Sequence, residues 1–196
     1  VPGSCAFPYG DELVIFVNLT RYDGTVDQLI NRIVFFLRDN FLKTGVSNPV
    51  QGTLELRHCY LQSRIALDTG SKYQTYRWIH KFEDISLKYL LECCTRDLPT
   101  HMVCSPKILT LKAYDIKHHS EYCKTLETYL DTHLNAVQAS QRLFIHRSTF
   151  LYRLERIREL ISIDFEDMEQ LFYLMISFRL LKLHRGASSE TIELHN

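Results

Sequence analysis

Hydrophobic and polar positions near the start of the chain follow a strand-like pattern. Residues 12–19 form a short apolar run rich in β-branched side chains, and residues 4–7 precede it across Tyr9-Gly10-Asp11. Two short segments on either side of a tight Gly-Asp turn predict a β-hairpin. We therefore expect the chain to open with two antiparallel strands.

The next predicted element is an amphipathic helix. Its apolar positions run from Leu29 to Phe41 with the helical period, which places them on one face. Thr25 or Asp23 can cap its first turn by accepting hydrogen bonds from free backbone N–H groups. Gly45 is expected to end the helix, because glycine readily adopts the left-handed conformation that often follows a helix C-terminus.

Strand and helix patterns keep alternating up to about residue 94. The sequence predicts a short strand at 46–47, an amphipathic helix from about 54 to 70, a strand over 76–79 and a helix over 84–94. This order is typical of an α+β module.

From Pro106 onward the strand patterns stop and helical periods take over. After a linking helix around 108–114, four helical patterns follow, at about 119–132, 136–143, 147–161 and 165–184. We therefore expect an α+β protein in which a small α/β module precedes an all-α domain. The predicted boundaries are 1–105, 106–185 and, for a flexible polar tail, 186–196.

The helices predicted over 136–161 have the features of a helix-turn-helix. Asn135 is a good N-cap for a short helix, and the small residues Ala139 and Ser140 let a second helix cross closely. Leu143 and Ile145 are apolar positions on either side of a short turn. In DNA-binding proteins of this kind the second helix enters the major groove.

The second of these helices is predicted to be amphipathic. One face carries the buried stripe Phe150, Leu154, Ile157 and Ile161, and the opposite face carries Ser148, Leu151, Tyr152, Glu155 and Glu159. Hydrogen-bond donors gather at its start, where the helix N-terminus attracts phosphate. The spacing alone fits equally well a helical bundle whose charged face is only solvated.

The composition says more about the cellular location of the protein than about its function. The 196 residues include no apolar run near the ~20 residues of a membrane span and no visible signal peptide, so we expect a cytoplasmic protein without membrane contact. The 23 basic and 23 acidic residues give zero net charge, and any DNA-binding surface must therefore be local. Six cysteines lack zinc spacing and are expected to be reduced thiols.

The stretch LFIHRSTFLYRLERIREL is very similar to the C-terminal helix-turn-helix signature of the PucR/CdaR-type regulators of purine and sugar-diacid catabolism. The preceding YCKTLETYLDTHLNAVQAS and the later LFYLMISFRLL resemble the flanking helices of that family. The chain departs from the pattern at Ser148, where asparagine is usual, and at Ser140, where alanine is usual. The resemblance implies a bacterial transcription regulator that binds duplex DNA and whose effector is sensed by an upstream domain. We expect it to need no cofactor and to act as a homodimer, since symmetric operators suit paired recognition helices.

Candidate DNA-binding residues follow from this arrangement. Arg147, Ser148, Leu151 and Tyr152 are best placed to reach base edges. Better candidates for phosphate contacts are Thr149, Arg153, Arg156 and the backbone near Asn135. His146 either contacts DNA or caps the helix, and both roles stay open at this point.

The predicted hairpin, FPYGDELVIF, resembles the GGDEF hairpin of diguanylate cyclases, a module that PucR-type regulators carry in degenerate form. Tyr9 replaces the first glycine, and the strand that would supply further metal-binding carboxylates is absent. We therefore expect a non-catalytic dimerisation or signal-relay domain. We also expect that the chain is a fragment of a longer regulator, or that its N-terminus diverges. The alternatives are a cyclase-like enzyme with metal bound near Asp11 and Glu12, and a helical protein-interaction module.

Overall fold

The computed structural model describes the backbone of residues 1–190 and the side chains through residue 183. The chain divides into two compact units, Val1–Leu90 and Leu91–Asn196. The part of the predicted tail beyond residue 190 lies outside the described residues. The predicted boundary between domains, at residue 105, stays a prediction.

The first unit opens with the hairpin that the sequence predicts. Strand β1 (Cys5–Tyr9) pairs antiparallel with β2 (Glu12–Phe16), and Tyr9 is opposite Glu12 at the turn. Gly10 has a φ of 59°, in the left-handed region that glycine adopts at little cost. The hairpin forms a two-stranded sheet of its own.

Helix α1 (Val26–Asp39) starts as predicted and ends earlier than predicted. Thr25 and Gln28 form a capping box, in which each side chain accepts a hydrogen bond from the backbone of the other residue. The prediction that Gly45 ends the helix is wrong. Asn40 is the C-cap, and Phe41 follows in the left-handed conformation with a φ of 55°.

The second sheet pairs β3 (Thr44–Val46) with β4 (Ile79–Lys81) in parallel. The crossover contains α2 (Leu56–Tyr73), which starts after the exposed Leu54 and continues past Gly70, where the sequence predicted its end. Strand β4 begins only at Ile79, because the chain before it makes a turn in which Arg77 N–H donates to the Gln74 carbonyl.

Two glycines of this unit serve close packing and do not end helices. A Cβ atom at Gly45 would lie 1.8 Å from the Ser63 carbonyl oxygen of α2. A Cβ atom at Gly70 would lie 2.3 Å from the ring of His80 on β4. Helix α2 can therefore press directly against the parallel strands, because neither position carries a side chain.

The remaining helices follow the predicted order closely. They are α3 (Phe82–Cys94), α4 (Thr100–Val103), α5 (Pro106–His118), α6 (Tyr122–Asp131), α7 (Ala136–Arg142), α8 (Arg147–Ile161) and α9 (Met168–Glu190). The short α4 was not predicted. Helix α9 continues to Glu190, beyond its predicted end at residue 184, and so includes the first residues of the segment 186–196 that the sequence predicts as a tail.

The second unit has a well-filled core where α5, α6, α8 and α9 meet. Its fully or nearly fully buried side chains are Ile108, Leu111, Leu126, Leu130, Ile157, Ile161, Ile163, Leu171, Leu174 and Phe178. Polar groups inside it are satisfied, since the Ser177 hydroxyl accepts from the Ser105 N–H at 2.9 Å and donates to the Tyr173 carbonyl at 2.7 Å.

The architecture is thus mostly helical, with a small two-sheet α/β part before the helix-turn-helix, which agrees with the predicted α+β class. No helix in the described part of the chain is long and apolar enough to span a membrane.

Candidate nucleic-acid interface

Helix α7 begins at the residue that the sequence predicts as its cap. The Asn135 side-chain oxygen accepts hydrogen bonds from the N–H groups of Val137 (3.1 Å) and Gln138 (3.0 Å). Ala139 and Ser140 are buried, as their small size suggested. The cap fixes where the first helix of the pair starts, and with it the direction of the chain that enters it.

The turn between α7 and α8 is a Schellman motif. Ile145 N–H donates to the Ser140 carbonyl, and Phe144 N–H donates to the Gln141 carbonyl. Leu143 and Ile145 are half-buried, in keeping with their predicted packing role. Phe144 occupies the left-handed position with a φ of 54° and is 96% exposed, so its side chain contributes little to the fold.

His146 is the N-cap of α8, which was one of its two predicted roles. Its Nδ1 accepts a hydrogen bond from the Ser148 N–H at 3.3 Å and lies 2.7 Å from the Ser148 hydroxyl. Because Nδ1 accepts, a neutral ring carries its proton on Nε2. The Nε2–H group therefore takes no part in the N-cap and can donate to another acceptor.

The two faces of α8 are arranged as the periodicity predicts. Phe150, Ile157 and Ile161 are buried and Leu154 is half-buried. The Phe150 ring packs edge-on against Tyr129 at 5.6 Å, which ties α8 to α6. The side chains of the first turns on the other face are exposed: Arg147, Ser148, Thr149, Leu151 and Tyr152.

Three of the four arginines on α8 form ion pairs. Arg153 contacts Glu121, the N-cap residue of α6, at 3.4 Å and the Thr125 hydroxyl at 3.4 Å. The other two pairs lie within the helix, between Arg156 and Glu159 at 2.5 Å and between Arg158 and Glu155 at 3.3 Å.

Arg147 differs from the other arginines of this helix. It is exposed and forms no ion pair within residues 1–183, whose side chains the structure describes. The positive charge at the start of α8 is thus available to a ligand. The sequence analysis already placed Arg147 apart from Arg153 and Arg156, as a base-reading candidate, and the lack of an ion-pair partner among the described residues is consistent with that role.

Glu121 is a residue that the sequence reasoning missed. Its carboxylate forms ion pairs with Lys124 at 3.2 Å and with Arg153. Both cations lower the pKa of Glu121 from its ordinary value, and Lys124 has the larger effect. No signal in the sequence could reveal the pair with Arg153, because the two residues are 32 positions apart.

A groove of about 370 Å³ runs beside the exposed face of α8. It is lined by Thr149, Tyr152 and Arg153 from α8 and by residues 119–122 from the connection between α5 and α6. The exposed face of α8 is therefore bounded on one side by a second segment of the same unit.

The carboxylate of the hairpin is engaged within the first unit. Glu12 accepts a hydrogen bond from the Tyr60 hydroxyl at 3.2 Å and pairs with Arg64 at 3.2 Å. Asp11 is exposed at the turn. Glu12 is thus held by α2, and this arrangement differs from that of a carboxylate free to bind metal.

Two of the cysteine thiols are kept protonated by burial. All six cysteines are free, and burial raises the pKa of Cys104 and raises that of Cys123 to about 12. A protonated thiol is a poor nucleophile and a poor ligand. Within the part of the chain that the structure describes, no group of three or more His, Cys, Asp or Glu side chains could hold a metal ion.

Comparison with known proteins identifies the second unit's helical core. The capped α7, the Schellman turn and the exposed face of α8 define a helix-turn-helix protein. Residues 122–180 match the PucR C-terminal helix-turn-helix domain, so the chain carries a PucR-type helix-turn-helix, as its sequence motifs predicted.

Three relatives extend the similarity into the first unit. The chain is 39% identical over 184 residues to the proline-responsive transcriptional activator PutR of Bacillus subtilis (strain 168), covering 85% of this chain and 42% of that protein. It is 27% identical over 141 residues to the purine catabolism regulatory protein of the same organism, covering 71% and 26%. It is 24% identical over 155 residues to the carbohydrate diacid regulator of Escherichia coli (strain K12), covering 79% and 39%.

The chain thus spans less than half the length of each of these relatives. No solved structure matches it.

Proposed function

We propose that this chain is the DNA-binding part of a bacterial transcription regulator of metabolic genes, and that α8 reads duplex DNA in the major groove. The observation that carries the proposal is the start of α8. There an exposed arginine without an ion-pair partner in the described part of the chain, a hydroxyl and a helix N-terminus lie together in a PucR-type helix-turn-helix. A helix fits the major groove, and residues of its first turns reach base edges.

Arg147, Ser148, Leu151 and Tyr152 are the proposed base-reading residues. Their side chains are exposed on the first two turns of α8. Arginine can donate two hydrogen bonds to guanine, and leucine can contact the methyl group of thymine. The Ser148 hydroxyl lies 2.7 Å from Nδ1 of His146, so the N-cap interaction also orients the Ser148 side chain.

The proposed phosphate contacts are Thr149, Arg153, Arg156, the outward Nε2 of His146 and the backbone near Asn135. To bind a phosphate, Arg153 must first leave the Glu121 carboxylate and Arg156 must first leave the Glu159 carboxylate. Their contribution to affinity is therefore expected to be smaller than that of an unpaired cation.

A fluorescence-anisotropy titration tests the proposal directly. We expect the protein to bind duplex DNA from upstream of its own gene more tightly than a scrambled duplex, with affinity falling steeply as salt rises. Arg147→Ala should weaken binding to the upstream duplex by about 5- to 150-fold, the range for one bidentate arginine–guanine contact.

Arg158→Ala is the matched control, because it removes the same charge from the same helix at a residue paired with Glu155. It should leave sequence preference unchanged. Salt-independent binding, or equal binding to both duplexes, would contradict the proposal and favour a helical protein-interaction module.

For the first unit we propose a degenerate GGDEF-like domain without catalytic activity. Support comes from the hairpin with Tyr9 at the first glycine position and from the engagement of Glu12 by Tyr60 and Arg64. We expect no turnover when purified protein is incubated with GTP and Mg²⁺ and analysed by chromatography. Formation of a cyclic dinucleotide would overturn this proposal and support the cyclase alternative.

We further propose that the full regulator acts as a homodimer and senses its effector through an upstream domain. Paired recognition helices match symmetric operators, whose half-sites lie about 10 base pairs apart. A footprint on the upstream duplex with two protected half-sites at that spacing is the expected result. A single protected half-site at saturating protein would contradict the dimer.

A further inference from the structure

The connection between α5 and α6 presents three consecutive hydrogen-bond donors that the proposed function has not used. We call residues 117–121 the α5–α6 corner. Lys117, His118 and His119 are exposed, and His119 ends α5 in the left-handed conformation with a φ of 52°. Within the residues whose side chains are described, none of the three forms an ion pair.

A half-buried carboxylate holds the corner in one conformation. Asp115 accepts hydrogen bonds from the Ser120 hydroxyl at 2.6 Å, from Tyr122 N–H at 2.8 Å and from Cys123 N–H at 2.8 Å. One side chain therefore satisfies the first N–H groups of α6 and fixes the path of the chain into it. The donors are presented on a pre-ordered backbone, so ordering them around a ligand costs less conformational entropy.

Aromatic stacking connects the corner to the same side of α8. His118 stacks on Tyr114 at 4.1 Å, and Tyr114 stacks on Tyr122 at 5.6 Å. Arg156 on α8 is close enough to be influenced by this stack, because Glu159 first and then Tyr114 raise the pKa of Arg156. The corner is therefore packed beside the helix that is proposed to read DNA.

The corner and α8 form the two walls of one groove. His119, Ser120 and residues 121–122 line one wall, and Thr149, Tyr152 and Arg153 line the other. Glu121 is the acidic side chain in this lining, and Lys124 and Arg153 neutralise it. The groove thus offers hydroxyl and imidazole donors, and the Glu121 carboxylate in its lining is paired with Lys124 and Arg153.

We propose that the α5–α6 corner binds the sugar-phosphate backbone of the DNA strand that borders the major groove occupied by α8. A recognition helix in the groove has a phosphate strand along each flank. The strand on the Thr149 side would lie in the groove between α8 and the corner, where His119 donates to its phosphates. Lys117, exposed in the last turn of α5, would add a positive charge beside that groove. The proposal rests on the proposed function and extends the footprint beyond the helix-turn-helix itself.

The double variant Lys117→Gln/His119→Gln tests the corner. Affinity should fall by a similar factor on the upstream and the scrambled duplex, because phosphate contacts carry no sequence information. The slope of log affinity against log salt should become shallower by about 1 for each phosphate that the variant no longer binds. In hydroxyl-radical footprints, protection of the backbone at the flank of each half-site should disappear.

Arg57→Gln is the control for charge alone, because Arg57 is an exposed cation in the first unit. It should leave the salt slope and the footprint unchanged. Far-UV circular dichroism melting should be the same for all variants, since the replaced side chains are exposed.

The outcomes separate this inference from the function on which it rests. If the double variant keeps the wild-type slope and footprint while Arg147→Ala abolishes sequence preference, the corner does not contact DNA and the proposed function stands. If the double variant changes sequence preference and leaves the slope intact, the corner reads bases and the phosphate role is wrong. If wild type shows no salt-dependent binding to either duplex, both proposals are wrong.

Discussion

The two compact units bury their hydrophobic residues to very different extents. The second unit has a continuous core built by four helices, with Phe150, Leu126 and Leu174 fully inaccessible. In the first unit, Leu13 and Ile15 on β2 and Phe35 and Phe36 on α1 are exposed, each to more than half of its surface. The helix-turn-helix unit is thus held by a continuous apolar core, whereas close contacts in the first unit form at Gly45 and Gly70.

The largest expected effect is on the core of the second unit. Phe150→Ala removes a fully buried ring that ties α8 to α6, and such truncations cost about 3–5 kcal/mol. Urea unfolding followed by far-UV circular dichroism measures this destabilisation. Phe35→Ala, at a ring that is 62% exposed, is the matched control and should cost less than about 1 kcal/mol.

The single tryptophan, Trp78, lies in the first unit and reports on that unit separately. Its fluorescence transition should shift less than the circular dichroism transition in Phe150→Ala. Coincident shifts of both signals would show that the units unfold as one, and the contrast between their stabilities would then be wrong.

A smaller effect is expected from overpacking in the first unit. In Gly45→Ala the new methyl group would lie against the Ser63 carbonyl, so α2 must move away from β3. Overpacking of this kind costs about 1–3 kcal/mol, measured by Trp78 fluorescence in urea. Gly10→Ala, where nothing lies within 4 Å of the added atom, meets only the strain of a positive φ and should cost less.

The smallest effect concerns the pH dependence of the first unit. His80 is buried on β4 with both ring nitrogens unpartnered among the described residues, and burial, with Lys43 and Arg77 nearby, lowers its pKa. The unfolded chain therefore binds a proton more readily than the folded unit. Stability is fully present above the unfolded value of about 6.5 and is lost as the pH falls towards the folded pKa.

Urea midpoints of Trp78 fluorescence at pH 8 and pH 5 measure this change. The wild type should lose more stability between the two than His80→Phe, in which the titrating ring is replaced by an apolar one. An equal loss in both proteins would assign the pH dependence to other groups.

Helices were predictable where a capping residue and the helical spacing of apolar residues indicate the same element. Asn135 and Thr25 cap their helices as expected, and the stripe from Phe150 to Ile161 is the buried face of α8. The end of α1 was not predictable, because a Schellman turn with phenylalanine at the left-handed position replaces the glycine that a sequence pattern would seek. Gly45 was misinterpreted because it lets α2 approach β3 closely, and this contact is visible only in the folded chain.

The candidate site was predictable in its residue types and less so in their pairing. Arg158 and Arg156 lie three residues from Glu155 and Glu159, so these pairs follow from helical spacing. The pair between Arg153 and Glu121 depends on how α6 and α8 cross and has no trace in the sequence. The roles assigned to the nine candidate DNA-binding residues stay predictions.

The internal pairing of the arginines on α8 has a consequence for how such a domain would search a genome. Random DNA is held almost entirely through released counterions, so a helix whose cations are mostly paired with carboxylates of its own chain binds arbitrary sequence weakly. Residence on wrong sites becomes short, and the ratio between operator and background occupancy rises without a tighter operator complex. In that sense, Glu121, Glu155 and Glu159 would shorten the time that the domain spends on DNA other than its operator.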